Sequence, residues 1–271
     1  MSDASKIYRK HNSFVGLRHK GPATDAVVRV KKTLEDPSDY GLGEARAELV
    51  RRACRELLDL EAPPAGHPPF RLHENVLEEM ARLDDGELPR YLHYRFRYEA
   101  YPDRKILDDE PPCLQIEPTS VCNFRCVFCY QTDAEFTDKK NGHMGTMSLD
   151  LFKSIVDMAA GRVEAVTLAS RGEPTACREL GAMLAYAKGK FLALKLNTNA
   201  SLLDEKRCHE ILSAEPQTVV FSADAAAEPE YSRLRVGGTL EKTLKNVRLF
   251  QDIRRAHYPK TRTITRVSGV K

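Results

Sequence analysis

Three thiols fall within eight residues in Cys122-Asn-Phe-Arg-Cys126-Val-Phe-Cys129, in a chain of 271 residues with only seven cysteines. The C-x3-C-x2-C spacing brings three sulfurs to one point and supplies no fourth. That missing ligand is the strongest constraint in the sequence. Thiolates suit zinc, Cu(I) and iron–sulfur clusters. A structural zinc site is normally closed by four ligands in two spaced pairs, and there is no second C-x2-C here. Cys113, Cys177, Cys208 and His143 stand at no recognisable spacing from the triple. An electron-transfer cluster also wants four thiolates. Three thiolates on a cubane cluster would leave one iron open to a substrate or cofactor, by analogy with the open position that marks a catalytic zinc.

Composition narrows the setting. The net charge is +3, and Lys and Arg are interspersed with Asp and Glu rather than gathered in a patch. A nucleic-acid partner is neither implied nor excluded by this balance. No apolar run is long enough to span a bilayer, and the polar start Met1-Ser-Asp-Ala-Ser has no signal-peptide core. We therefore expect a cytoplasmic protein with no membrane partner. Cysteines clustered in that compartment point to metal or redox chemistry rather than a disulfide framework.

Residues 1 to about 40 carry few apolar anchors and read as loops around Gly21-Pro22 and Asp36-Pro37. A helix is expected near Gly43–Leu60, with Leu49, Val50, Leu57 and Leu58 at helical spacing and Cys54 on the same stripe as a small buried hydrophobe. Ala62-Pro-Pro-Ala-Gly-His-Pro-Pro69 breaks the chain, and a second helix follows near Glu74–Leu83. In Tyr91–Tyr98 aromatic and charged residues alternate, the period of a half-buried strand, with a surface helix as the other structural option. Basic residues interleaved with aromatics can also stack on single-stranded bases, but one short stretch does not make a groove, so nucleic acid is not an expected partner.

From Pro111 an α/β alternation begins. Strands are expected at Gln115–Thr119, Glu164–Ala169, Phe191–Asn197, Thr218–Ala223 and Thr261–Val270. Helices are expected at Ser148–Ala160 (with Ser148 as cap), Ala176–Lys188, Leu203–Ser213 and Thr239–Arg255. The alternation implies βαβ units and a parallel sheet. Such proteins place their chemistry at the carboxyl ends of strands. The cysteines, Gly172-Glu173-Pro174, Asn197-Thr198-Asn199, and Ser222 with Asp224 each follow a strand in turn.

Taken with its surroundings, the cysteine motif resembles that of radical S-adenosylmethionine (SAM) enzymes, with Phe128 just before the third cysteine. Glu117-Pro-Thr-Ser-Val-Cys-Asn-Phe-Arg-Cys is similar to that family's first strand and loop. Met144-Gly-Thr-Met-Ser-Leu-Asp-Leu-Phe resembles the approach to its first helix, particularly in members with a C-terminal SPASM domain. Ser170-Arg-Gly-Glu-Pro174 resembles its Gly-Gly-Glu-Pro segment. Val220-Phe-Ser-Ala-Asp-Ala and Tyr231-Ser-Arg-Leu-Arg-Val-Gly resemble its fourth-strand region. The resemblance covers about Pro111 to Lys271.

It implies a partial (β/α)6-type, TIM-like barrel over 111–271, shortened after about five strands and without the SPASM domain, preceded by a mainly helical extension over 1–110. It implies a 4Fe-4S cluster on Cys122, Cys126 and Cys129, with SAM chelating the fourth iron. Glu173 would lie beside the SAM amino group and Gly172 would let backbone approach there. Asn197 or Asn199 would reach the ribose, Phe128 would pack near the adenine, and Arg235 would hold the carboxylate with its guanidinium fork. Ser222 and Asp224 would line the same rim. The implied reaction is reductive cleavage of SAM to a 5'-deoxyadenosyl radical that takes hydrogen from a peptide, carbohydrate or small metabolite, with flavodoxin or ferredoxin as electron donor. A non-catalytic iron–sulfur or zinc module is the alternative. Arg171 stands where the family often has glycine, adding bulk and charge beside the amino-group site. Cys54, Cys113, Cys177 and Cys208 match no ligand position and are expected to be structural. An open edge at the last strand would need covering, by a partner or by the N-terminal region.

Overall fold

The computed structural model describes residues 22–269. The loops expected in residues 1–21 and the last position of the expected fifth strand, 270, lie outside the described residues. Four helices come first: α1 (Pro22–Glu35), α2 (Glu44–Leu57), α3 (Glu74–Met80) and α4 (Leu88–Arg104). Strands and helices then alternate: β1 (Cys113–Ile116), the short α5 (Ala134–Thr137), α6 (Leu149–Ala159), β2 (Ala165–Leu168), α7 (Leu180–Ala187) and β3 (Ala193–Thr198). The chain continues through α8 (Glu205–Ala214), β4 (Thr218–Ser222), the short α9 (Glu230–Leu234), α10 (Leu240–His257) and β5 (Ile264–Ser268).

The strands form one sheet in the order β1-β2-β3-β4-β5, every neighbouring pair parallel. Because parallel crossovers share one hand, an order that never reverses puts the connecting helices on one face. That is the arrangement of a barrel wall rather than of a doubly wound sheet. The core agrees. One apolar cluster joins Ile116, Leu168, Leu196, Val219 and Phe221 to the inner sides of α6, α7, α8 and α10. Alternation along each strand sends the intervening residues to the opposite, concave face. Ser148 caps α6 as expected, its Oγ accepting from Leu151 N–H at 3.2 Å.

Three expectations are corrected. Tyr91–Tyr98 lies inside α4 and is neither a strand nor a surface helix. Tyr91, Tyr94 and Phe96 are buried and Tyr98 is exposed, but His93 and Arg97 are buried as well, because α4 is enclosed on more than one side. Leu88, Tyr91 and Leu92 pack with α1, α2, α3 and the strand starts Ala165 and Ala193, while Phe96 and Ala100 pack with Phe70 and Ala53. A helix buried nearly all round loses the amphipathic signature, and the remaining alternation mimics a strand. Pro22–Glu35, expected as loop, is helical and buries Ala26 and Val30 one turn apart. The helix expected from Ala176 starts at Leu180, because Pro174–Ala176 forms a 3-10 turn instead.

The helical extension grips the sheet through ion pairs. Arg90 chelates Glu164, just before β2, at 2.9 and 2.6 Å. From the last strand, Arg266 reaches Glu78 at 3.2 Å and Glu79 at 3.1 Å on α3. Within the extension, Arg104 and Glu56 form a bidentate pair at 2.9 and 2.6 Å. The Glu56 carboxylate also accepts from Phe70 N–H at 3.1 Å, and Phe96 lies under the guanidinium. Both side chains are almost fully enclosed. Removing one partner of such a pair strands a buried charge, whereas replacing both does not. Arg104→Met should therefore lower urea-unfolding stability by about 3–5 kcal/mol, and Glu56→Leu combined with Arg104→Met should recover part of it, since the buried Phe70 N–H then loses its acceptor. A loss below about 1 kcal/mol for the single variant, the range of an exposed pair, would contradict this account.

Candidate functional site

The cysteine loop follows β1 and has little regular structure of its own, so its backbone groups must be satisfied by neighbours. Ser120 N–H donates to Gly145 O at 2.9 Å, and Glu173 N–H donates to Val121 O at 3.0 Å. Arg125 and Val127 donate to Val236 O and Leu234 O at 2.8 and 3.0 Å. Asn123 is tied to the end of β3, donating to Ser201 Oγ at 2.8 Å and accepting from Asn199 Nδ2 at 3.0 Å. Phe124 is buried beneath the loop. A Cβ on Gly238 would stand 2.3 Å from its ring, so glycine there allows the loop to seat.

Glu173, after β2, is 3 % exposed. Its Oε1 accepts from Thr175 N–H at 3.0 Å, Thr175 Oγ1 at 2.5 Å and Thr198 Oγ1 at 2.6 Å, and its Oε2 from Asn199 N–H at 2.7 Å. Among the described residues no Lys, Arg or His forms an ion pair with it. A carboxylate held this way is solvated by dipoles but not neutralised, and Oε2 has acceptor capacity left. The neighbouring Arg171 does not disturb the loop. Its N–H and Nε donate to Glu117 Oε2 at 3.1 and 3.3 Å, and its guanidinium lies over Phe136 at 4.6 Å.

At the end of β3 the two asparagines differ. Asn199 is spent: Nδ2 donates to Asn123, and Oδ1 accepts from Ser201 N–H at 2.9 Å and Ser201 Oγ at 2.7 Å. Asn197 Oδ1 is buried and has no partner among the described residues. An unsatisfied buried acceptor costs about 1–3 kcal/mol, so it marks a place where a donor is wanted. Arg235, brought in by the segment that pairs with the cysteine loop, is 6 % exposed and forms an ion pair with Asp224 at 2.6 Å through Nε. Its Nη atoms donate to no acceptor among the described residues.

One open pocket is lined by Cys122, Cys126, Cys129, Phe128, Gly172, Glu173, Asn197, Asn199, Ser222 and Arg235. The structure therefore brings together every cofactor-binding and metal residue expected from sequence, with Asp224 just behind Arg235. Phe128 is half exposed at the rim. Burial pushes the Cys122 thiol up to about 11, opposed by Phe124 N–H, which donates to its Sγ at 3.4 Å. Burial also raises Cys126, opposed by the positive charge of Arg235. Among the described residues no three His, Cys, Asp or Glu side chains converge tightly enough to hold a single metal ion. The donor set suits a group that takes one thiolate at each of several irons. The remaining cysteines are structural in placement: Cys54, Cys177 and Cys208 are buried, Cys113 is half-buried, and burial drives Cys54 and Cys208 up to about 12.

Sequence reasoning missed several supporting residues. Gln131 is buried and donates to Ser120 O at 2.7 Å and Arg171 O at 2.9 Å, clamping the cysteine loop to the loop after β2. Asn246 of α10 donates to Ala200 O and Ser201 O. Their partners are distant in sequence, so no local signal marks them. Gly172 was singled out, and the structure gives its reason. A Cβ there would stand 1.8 Å from Thr119 O, a backbone atom that cannot rotate away. Gly172→Ala should cost about 1–3 kcal/mol of stability or more. Gly86→Ala, where a Cβ meets open space, should stay within about 0.5 kcal/mol. Equal melting temperatures for the two variants would contradict the close approach.

Residues 116–265, more than half of the chain, match the family model of the radical SAM superfamily. The chain is 27% identical over 146 residues to Fe-coproporphyrin III synthase of Methanosarcina barkeri, covering 53% of this chain and 35% of that protein. It is 28% identical over 146 residues to the tungsten-containing aldehyde ferredoxin oxidoreductase cofactor-modifying protein of Pyrococcus furiosus, covering 52% and 39%. The match thus spans well under half the length of these curated relatives. Among solved structures it is similar to Streptococcus suis SuiB bound to S-adenosylmethionine, with a TM-score of 0.49 and 18% identity, covering 69% of this chain and 40% of that one. On the family match, the chain belongs to the radical SAM superfamily, whose characteristic cofactors are a 4Fe-4S cluster and SAM.

Proposed function

We propose that this chain is the catalytic core of a radical SAM enzyme. The observation that carries the reading is the pocket. Three thiols share it with a buried carboxylate that lacks a cation, an amide oxygen that lacks a donor and an arginine with unspent Nη groups. When bound, the cluster and SAM supply a 5'-deoxyadenosyl radical, formed by one-electron reduction, that removes hydrogen from an unactivated position. Cys122, Cys126 and Cys129 each offer one thiolate. Glu173 Oε2 accepts from the SAM ammonium, and the charge this adds offsets the carboxylate's own. The Nη groups of Arg235 donate to the SAM carboxylate, with Asp224 fixing the guanidinium from behind. Asn197 Oδ1 accepts from a ribose hydroxyl. Asn199, its amide already engaged, positions the Asn123 side chain and so the cysteine loop. Phe128 offers its exposed ring to the adenine, and Ser222 completes the rim.

Gly172 and Gln131 hold the two loops close enough to limit water around the reacting atoms. We assign residues 1–110 to a mainly helical extension and 111–271 to the core. No helix of the described residues is long and apolar enough to cross a membrane, and we place the protein in the cytoplasm, where its thiols stay reduced. A flavodoxin or ferredoxin would supply the electron, and the substrate is a peptide, carbohydrate or small metabolite.

Anaerobic reconstitution with iron and sulfide tests this. The proposal expects about four irons per chain and release of 5'-deoxyadenosine on reduction with SAM. Cys126→Ala should lose the iron, and Cys177→Ala should retain it. Tight zinc binding without SAM binding, or equal behaviour of the two variants, would overturn the assignment.

A further inference from the structure

The concave face of the sheet carries a row of residues that the cofactor pocket does not use. Gln115 of β1 is in register with Thr167 of β2, Thr167 with Lys195 of β3, and Lys195 with Thr218 of β4. Alternation puts all of these on one face, the face on which Asn197 lines the pocket. One step along the same strands, the outward row is Ile116, Leu168, Leu196 and Val219, wholly apolar and in the core. The concave row is polar across these four strands and ends at Ile264 of β5, the buried residue in register with Thr218. None of its side chains hydrogen-bonds or ion-pairs with another group among the described residues, and Thr218 Oγ1 is buried with no partner.

Thr218 is buried, Thr167 and Lys195 are half-buried and Gln115 is exposed, so the row is open to an incoming ligand and offers it one amine among neutral hydrogen-bonding groups, with the unpartnered Thr218 hydroxyl at its buried end. Charges that face the row from other elements are already committed. Glu79 Oε1 accepts from Arg266 at 3.1 Å, and its Oε2 from Tyr91 Oη–H at 2.7 Å. Arg266 also donates to Asn75 O and Glu78. Lys195 alone brings a positive charge with no protein anion of its own. Its amine is pushed down by burial, with Glu79 and Arg266 acting in opposite directions.

Resting on the function proposed above, we infer that this row anchors the substrate, and that Lys195 binds a carboxylate of it while Gln115, Thr167 and Thr218 donate to its remaining lone pairs. One unspent cation among neutral donors matches a monoanion. A phosphate near its dianionic state would bring a second charge with nothing to meet it. Lys195 lies two residues before Asn197 on the same strand, roughly 7 Å deeper along it. A carboxylate held there directs the rest of the molecule toward the strand ends, where the three thiols and Glu173 stand.

The test reads the amine directly. The lysines of the full chain are reductively methylated with isotope-labelled formaldehyde, which keeps their charge, and the Lys195 resonance is identified by its loss in Lys195→Met. The protein, with and without its cluster, is titrated with propionate, propionamide and inorganic phosphate. The Lys195 resonance should shift saturably with propionate and not with propionamide. Half-saturation should come at about ten- to a hundredfold lower concentration than for the exposed Lys206, as a charge-assisted hydrogen bond requires. Thr167→Val should weaken the propionate response. No shift, a shift matching that of Lys206, or tighter binding of phosphate than of propionate overturns the inference. Because the titration also runs without the cluster, failure to assemble the cluster counts against the proposed function alone.

Discussion

The site depends on one buried carboxylate. Glu173 takes hydrogen bonds from Thr175, Thr198 and Asn199, and its own N–H donates to Val121 O. The ends of three neighbouring strands are thereby joined through a single residue. Burying a carboxylate without such donors costs several kcal/mol. The loops therefore cannot separate without exposing or stranding that charge. The same arrangement leaves the charge uncompensated, so the interaction that builds the pocket also defines what it accepts: a ligand with a cation at that point.

Around Glu173 the structure solves a second problem, that of a loop with almost no internal hydrogen bonding. The cysteine loop borrows its order from elsewhere. The 234–236 segment pairs with it along one side, Gln131 clamps it to the loop after β2, and Asn123 ties it to the end of β3. The segment that supports it also delivers Arg235 to the pocket. Support and ligand recognition thus share one backbone path. Misplacement of the 234–236 segment would disturb the thiols and the guanidinium together, and small displacements at such sites have large effects on reactivity.

Much of this was legible in the sequence. The strand-helix alternation after Pro111 and the strand-end placement of Cys122, Glu173, Asn197 and Ser222 survive in the structure, because parallel strands bring consecutive carboxyl ends to one rim. Less was legible where partners are distant or burial is complete. Tyr91–Tyr98 read as a strand because α4 is enclosed on several sides, so its period of 3.6 is hidden. Pro22–Glu35 read as loop because its stripe is narrow, with Ala26 and Val30 as its buried anchors. Sequence left Asn197 and Asn199 equivalent, and only the hydrogen bonds show that Asn199 is spent. Gln131 carries no local signature because its two acceptors, Ser120 O and Arg171 O, come from separate loops.

The concave face extends the same logic inward. Its upper residues serve the pocket, its lower ends are plugged by Tyr91 and Leu92 of α4 against Ala165 and Ala193, and the polar row between remains unspent. The most direct test of the central claim is electron–nuclear double resonance on the reduced, reconstituted protein with SAM isotope-labelled at its amino nitrogen and carboxylate oxygens. The account predicts hyperfine coupling of both labels to the cluster, placing SAM on the iron that the three cysteines leave open. A cluster spectrum identical with and without labelled SAM would contradict it.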